Sequence, residues 1–176
     1  MILDRMAIKS LSMAIVLWFV TMQVKSQQLT DSPAISNNTI VGVWQANTDV
    51  VASALKVNFQ FFKDGRFIYN TDSYNALNPL ISIIGVYKIE KNILYLKIQS
   101  TKQLTGFKIA ASEPAFQFGS FQIDGGKITT IKQNDTDYDE HEIKAMADKK
   151  APKKKVIKID SETYYKVSDN PDKFSK

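Results

Sequence analysis

Apolar and polar residues alternate along Leu55 to Tyr69, LKVNFQFFKDGRFIY. Leu55, Val57, Phe59 and Phe61 interleave with Lys56, Asn58 and Gln60, the period-two pattern of a half-buried strand. Lys63-Asp64-Gly65 reads as a three-residue loop closed by a left-handed glycine. That loop sets Phe61 opposite Phe67 and Phe59 opposite Tyr69. A two-residue loop at Asp64-Gly65 would pair Phe61 with Ile68 and turn Phe67 and Tyr69 away. The three-residue pairing keeps four aromatics on one face and is preferred.

The same alternation continues through the body of the chain. Ile40 to Asn47 predicts a first strand, with Gly42 and Trp44 on one face. Residues 70 to 82 read as a loop, where Pro79 disfavours a strand. Ile83 to Glu90 and Ile93 to Gln99 predict a hairpin about Lys91-Asn92, pairing Ile89 with Leu94, Tyr87 with Leu96 and Gly85 with Ile98. Phe107 to Ala111 is a short strand. Ala115 to Ile123 and Lys127 to Lys132 predict a third hairpin around Asp124-Gly125-Gly126, with Phe121, Ile123, Ile128 and Thr130 on one face. Tyr138 to Met146 and Val156 to Val167 form the last pair. The sum is an all-β chain of about 8–10 strands. It predicts an antiparallel up-and-down meander closing into a β-barrel, because closure removes exposed edges. A barrel of that size is filled by side chains or holds one small ligand.

The amino end has a different pattern. Arg5 and Lys9 precede the apolar run Leu11 to Met22, and Val24-Lys25-Ser26 ends on a small residue. This is the layout of a signal peptide, and the run falls short of the roughly 20 residues of a membrane-spanning helix. The expected organisation is a signal peptide over 1–26, a flexible lead-in over 27–39, the barrel domain over 40–168 and a polar tail over 169–176. The protein is then exported, periplasmic or secreted, with no membrane span after cleavage.

Composition changes this picture little. The chain has 176 residues, enough for one domain with a sizeable core. Its net charge of +5 includes +2 from the first 26 residues, so the body gives no prior for nucleic acid. The absence of cysteine removes disulfides, thiolate metal sites and a cysteine nucleophile. With His141 the single histidine and no serine in a Gly-x-Ser-x-Gly setting, no catalytic residues are assigned and a non-enzyme is expected. No cofactor or metal is expected either. Asp135-Thr-Asp137-Tyr-Asp139 opens like a calcium loop, then has Glu140 for the glycine and Met146 for the final glutamate. Lys149, Lys150, Lys153, Lys154 and Lys155 read as a solvated loop without interleaved aromatics.

The order of motifs carries a resemblance. Gly42-Val43-Trp44 leads into the hairpin with Asp64-Gly65, followed by Gly85-Val86-Tyr87, a turn with Asn92, and Leu94-Tyr95-Leu96. In this the chain resembles the small bacterial lipocalin-like domains over residues 40 to 168. Thr136-Asp137-Tyr138 is similar to a signature between later strands of true lipocalins. The resemblance implies a calyx with the tryptophan closing its base and a small apolar ligand in its mouth. No basic residue is assigned to the place where lipocalins pack an arginine on that tryptophan. The barrel-interior candidates are Trp44, Phe59, Phe61, Phe67, Tyr69, Tyr87, Leu96 and Phe121. A monomer is expected, and an alternative reading is a side-chain-filled barrel that displays loops to a partner.

Overall fold

The computed structural model describes residues 34–48, 56–72, 77–111, 121–134, 136–148 and 152–174. The signal-peptide reading over 1–26 lies outside them. Among the described residues, eleven strands follow in chain order: β1 (Gly42–Ala46), β2 (Asn58–Phe61), β3 (Arg66–Asn70), β4 (Leu80–Glu90), β5 (Ile93–Thr105), β6 (Lys108–Ala111), β7 (Phe121–Asp124), β8 (Lys127–Lys132), β9 (Asp139–Met146), β10 (Val156–Ile159) and β11 (Glu162–Ser168). Eight of them close into an antiparallel β-barrel, in the order β1-β2-β3-β4-β5-β9-β10-β11 and back to β1. Every neighbouring pair follows the chain except across the β5–β9 join and the closing β1–β11 seam.

The two hairpins with clean alternation take the expected registers. Phe61 faces Phe67 and Phe59 faces Tyr69. The three-residue loop is confirmed by Phe62 N donating to Arg66 O at 2.9 Å, with Gly65 at φ 85°. Ile89 pairs with Leu94, Tyr87 with Leu96 and Gly85 with Ile98. Lys91 and Asn92 both have positive φ, as a two-residue primed turn requires.

The later strands depart from the expected pairing. β7 and β8 do not form a hairpin. β7 pairs with β6, and β8 pairs with the far half of β5. Gly106, Gly125 and Gly126 all have positive φ, so the two chains bend together and continue as one long kinked ribbon. The stretch from Val156 to Val167 is two strands rather than one, turned at Asp160-Ser161 with Asp160 at φ 50°. Leu80 to Ser82 already belong to β4, directly after Pro79.

The interior is built by the inward positions of all eight barrel strands. Phe61, Phe67, Leu94, Ile143 and Ile157 are almost wholly enclosed. Phe59 lies among Phe61, Phe67, Tyr69 and Tyr164, with ring centroids 5.2, 6.4, 4.8 and 5.4 Å away. Residues 34–39 are not a free lead-in. They turn under the Trp44 end, where Ser36 and Thr39 bond to each other and Asn37 Oδ1 accepts from Ile89 N at 2.8 Å. Ile40 then plugs the base, completely buried. The stretch read as a polar tail is partly structured too. Pro171–Phe174 forms a 3-10 turn against β1 and β2, with Pro171 buried.

Candidate functional site

Trp44 sits at the closed end of the barrel. Its Nε1 donates to Ile40 O at 2.6 Å, and the Lys166 Nζ lies 5.4 Å from its ring centre. Lys166 faces Trp44 across the β1–β11 seam and is fixed by Asp169, 2.7 Å from its Nζ. The base tryptophan thus has the basic partner that the sequence reading did not find. Miscounting β10 and β11 as one strand hid the inward parity of Lys166.

The opposite end holds a cavity of about 310 Å³. Its walls are Phe59, Phe67, Tyr69, Ile83, Leu96, Ile98, Ile159 and Tyr164, and its rim is His141, Asp160, Ser161 and Glu162. The volume is at the small end of the range of about 300–1,000 Å³ common for ligand pockets. The barrel is therefore filled in its lower half and hollow at its mouth. The two alternatives drawn from sequence, filled or open, each describe one half.

Of the eight interior candidates, Phe59, Phe67, Tyr69 and Leu96 line this cavity. Trp44, Phe61 and Tyr87 are buried in the same core cluster as these residues but do not line the cavity. Phe121 is a correction: it stands outside the barrel on β7, 60% exposed. Its exclusion follows from β7 pairing with β6 rather than joining the ring. Sequence reasoning missed the whole Ile159-to-Tyr164 edge. Its signal was Asp160-Ser161, a turn pair set inside an apolar run.

The rim is acidic and organised. Asp160 Oδ2 lies 2.7 Å from His141 Nδ1, and Asp160 Oδ1 accepts from Glu142 N at 2.9 Å. Glu162 Oε2 accepts from Asn47 Nδ2 at 3.1 Å. Of the acidic cluster around His141, the histidine itself lines the mouth, and Glu142 meets the rim through its backbone bond to Asp160. Asp135 lies outside the described residues, and among those described no group of three or more acidic or histidine side chains gathers as metal ligands.

Burial pushes three tyrosine hydroxyls above their ordinary range. Tyr87 is driven up to about 12, first by burial and then by Asp64; its hydroxyl donates to Phe62 O at 2.9 Å. Tyr69 is raised by burial and then by Glu162. Tyr164 is raised by burial, then by Tyr69, Glu162 and Asp160. Unfolded tyrosines ionise near pH 10, while the folded ones still hold their protons there. Deprotonation therefore favours unfolding, and this stabilisation is complete below about pH 10 and lost as pH rises through the folded values. An absorbance titration of phenolate should show these three of the seven tyrosines ionising only as the β-sheet signal in circular dichroism collapses.

The arrangement defines an antiparallel eight-stranded barrel with one tryptophan-closed base and one hollow, acid-rimmed mouth. No family model, no curated protein and no solved structure matches the chain.

Proposed function

We propose that this protein is an exported, non-enzymatic lipocalin-like barrel that takes a small apolar ligand into its mouth, held by shape and burial rather than by chemistry. The cavity of about 310 Å³ above a filled lower core is the observation that carries this reading. Four aromatic rings give the ligand a large contact area at low entropic cost. The Asp160 and Glu162 carboxylates stand where its polar end would emerge, which suits a neutral or amine-bearing ligand better than an acid. The pattern of residues 1–26 supports export.

An apolar fluorescent dye tests the site. The folded protein should enhance its emission, and Ile98→Trp, which fills the cavity from β5, should abolish the enhancement with the melting temperature nearly unchanged. Mass spectrometry of protein purified from its native host should find a carried small molecule. Bare protein with no dye uptake would overturn the reading.

A separate observation favours the alternative of a partner-binding protein. The ribbon of β5–β8 and β6–β7 runs past the barrel and exposes Ile109, Phe121, Ile128 and Ile131. A two-stranded ribbon is marginal alone in water, so apolar side chains along it are places for a partner to cover.

A further inference from the structure

One carboxylate at the barrel mouth lacks a counter-charge among the described residues. Asp160 is held by His141, whose Nδ1 lies 2.7 Å from its Oδ2. Glu162 has no such cation: its Oε2 accepts from the neutral Asn47 amide at 3.1 Å. Among the described residues, no lysine or arginine lines the cavity that this carboxylate rims.

Two phenols stand with Glu162. Tyr69 and Tyr164 both line the cavity, and both pack on the Phe59 ring, at centroid distances of 4.8 and 5.4 Å. The Glu162 charge helps to keep both hydroxyls protonated, which places it within electrostatic reach of each. Tyr164 is only 5% exposed, and among the described residues its hydroxyl has no hydrogen-bond partner. Every side-chain oxygen sealed from solvent among those residues does have a partner, so this hydroxyl is not sealed and opens into the cavity it lines. A few polar groups of this kind in an apolar wall are what orient a ligand. The apolar surface still open to one lies alongside, where Tyr69, Ile83 and Ile98 are half-buried walls of the same hollow.

An ammonium group answers each feature. Its charge balances Glu162, and its N–H donors form charge-assisted hydrogen bonds to carboxylate and phenol oxygens. The aromatic rings beside it favour a cation over their faces. We propose, resting on the reading of the mouth as a ligand calyx, that it selects a protonated primary amine carried on an apolar body. The nitrogen lies between Glu162 and the Tyr69 and Tyr164 hydroxyls. The body lies against Tyr69, Ile83 and Ile98, where it excludes water.

Calorimetric titration of the full chain with octylamine, octanol and octanoate at neutral pH tests this, because the three probes differ only in their heads. The amine should bind roughly tenfold or more tightly than the alcohol, and the acid more weakly than either. Glu162→Gln keeps an oxygen for the Asn47 amide and should bring the amine down to the affinity of the alcohol. Tyr164→Phe removes only the hydroxyl and should narrow the advantage of the amine. Asp124→Asn, at an exposed acid on β7, should leave amine binding as it is, which separates a contact from general attraction to the molecule. Ile98→Trp should remove binding of the amine and the alcohol alike. Equal affinity for amine and alcohol, an unaffected Glu162→Gln variant or the same loss in Asp124→Asn would each overturn the assignment, while octanol binding that Ile98→Trp abolishes would keep the calyx. Amine binding that survives Ile98→Trp would place the site elsewhere and overturn it too. Binding of none of the three probes would overturn both the amine assignment and the calyx.

Discussion

Replacing Phe59 with alanine should cost about 3–5 kcal/mol, the range for deleting a buried phenylalanine from a packed core. Phe59 is 6% exposed and is the one ring within 6.4 Å of Phe61, Phe67, Tyr69 and Tyr164 together. It bridges β2, β3 and β11, so its loss opens a gap that no single neighbour can close. Denaturant unfolding should report the loss as a lower midpoint with little change in slope. Phe59→Leu should lose much less, because volume is largely retained. Phe59 also forms the floor of the mouth cavity, so the alanine variant that remains folded should bind a larger dye and hold a small one more loosely.

Gly42→Ala should be nearly as damaging, for a backbone reason. Gly42 has φ 129°, a conformation that residues with a Cβ rarely adopt. A Cβ there would meet the Ser168 carbonyl oxygen and come within 2.7 Å of Lys166 Cε. Strain of about 1–3 kcal/mol and overpacking of about 1–3 kcal/mol together predict a loss of about 2–6 kcal/mol. Gly42 lies beside the shift in register between Val43 and Trp44, where the first strand meets the last. The expected readout is a large fall in melting temperature together with weaker protection of β1 and β11 amides in hydrogen exchange. If Gly42→Ala matched the wild type in both, the seam would tolerate a relaxed backbone and the strain argument would fail.

Much of the barrel was legible because alternation and turn chemistry agreed. In the Phe59 hairpin a one-residue slip would have split the four aromatics between two faces, and in the Tyr87 hairpin it would have separated Tyr87 from Leu96, so one register was favoured in each. The same logic misled at Asp124-Gly125-Gly126. A glycine pair between alternating runs looks like a hairpin turn, yet here it is a bend within one continuous strand path, matched by a bend at Gly106 on the partner. Local residues specify a change of direction there, and the long-range pairing of β5 with β8 decides what that change is. The candidate site was half legible for a related reason. Phe59, Phe67, Tyr69 and Leu96 come from hairpins whose partners are close in sequence. Tyr164, His141 and Asp160 reach the mouth through the β5–β9 and β1–β11 joins, which no short-range signal encodes. The Lys166 contact with Trp44 was lost with them.

The seam between Val43 and Ser168 has a temporal meaning as well. It joins the first strand of the barrel to the last, so almost the whole domain forms one loop that closes only at the end. Contacts this distant in sequence make folding slow, because loop entropy is lost before the contact repays it. During synthesis the first strand leaves the ribosome several seconds before its partner, at the usual rates of about 5–20 residues per second. Until β11 emerges, β1 presents an unpaired edge to any neighbouring nascent chain. A chain that is held unfolded until it is complete, as export through a narrow channel requires, avoids that exposure by postponing the first half until the second half is there to meet it.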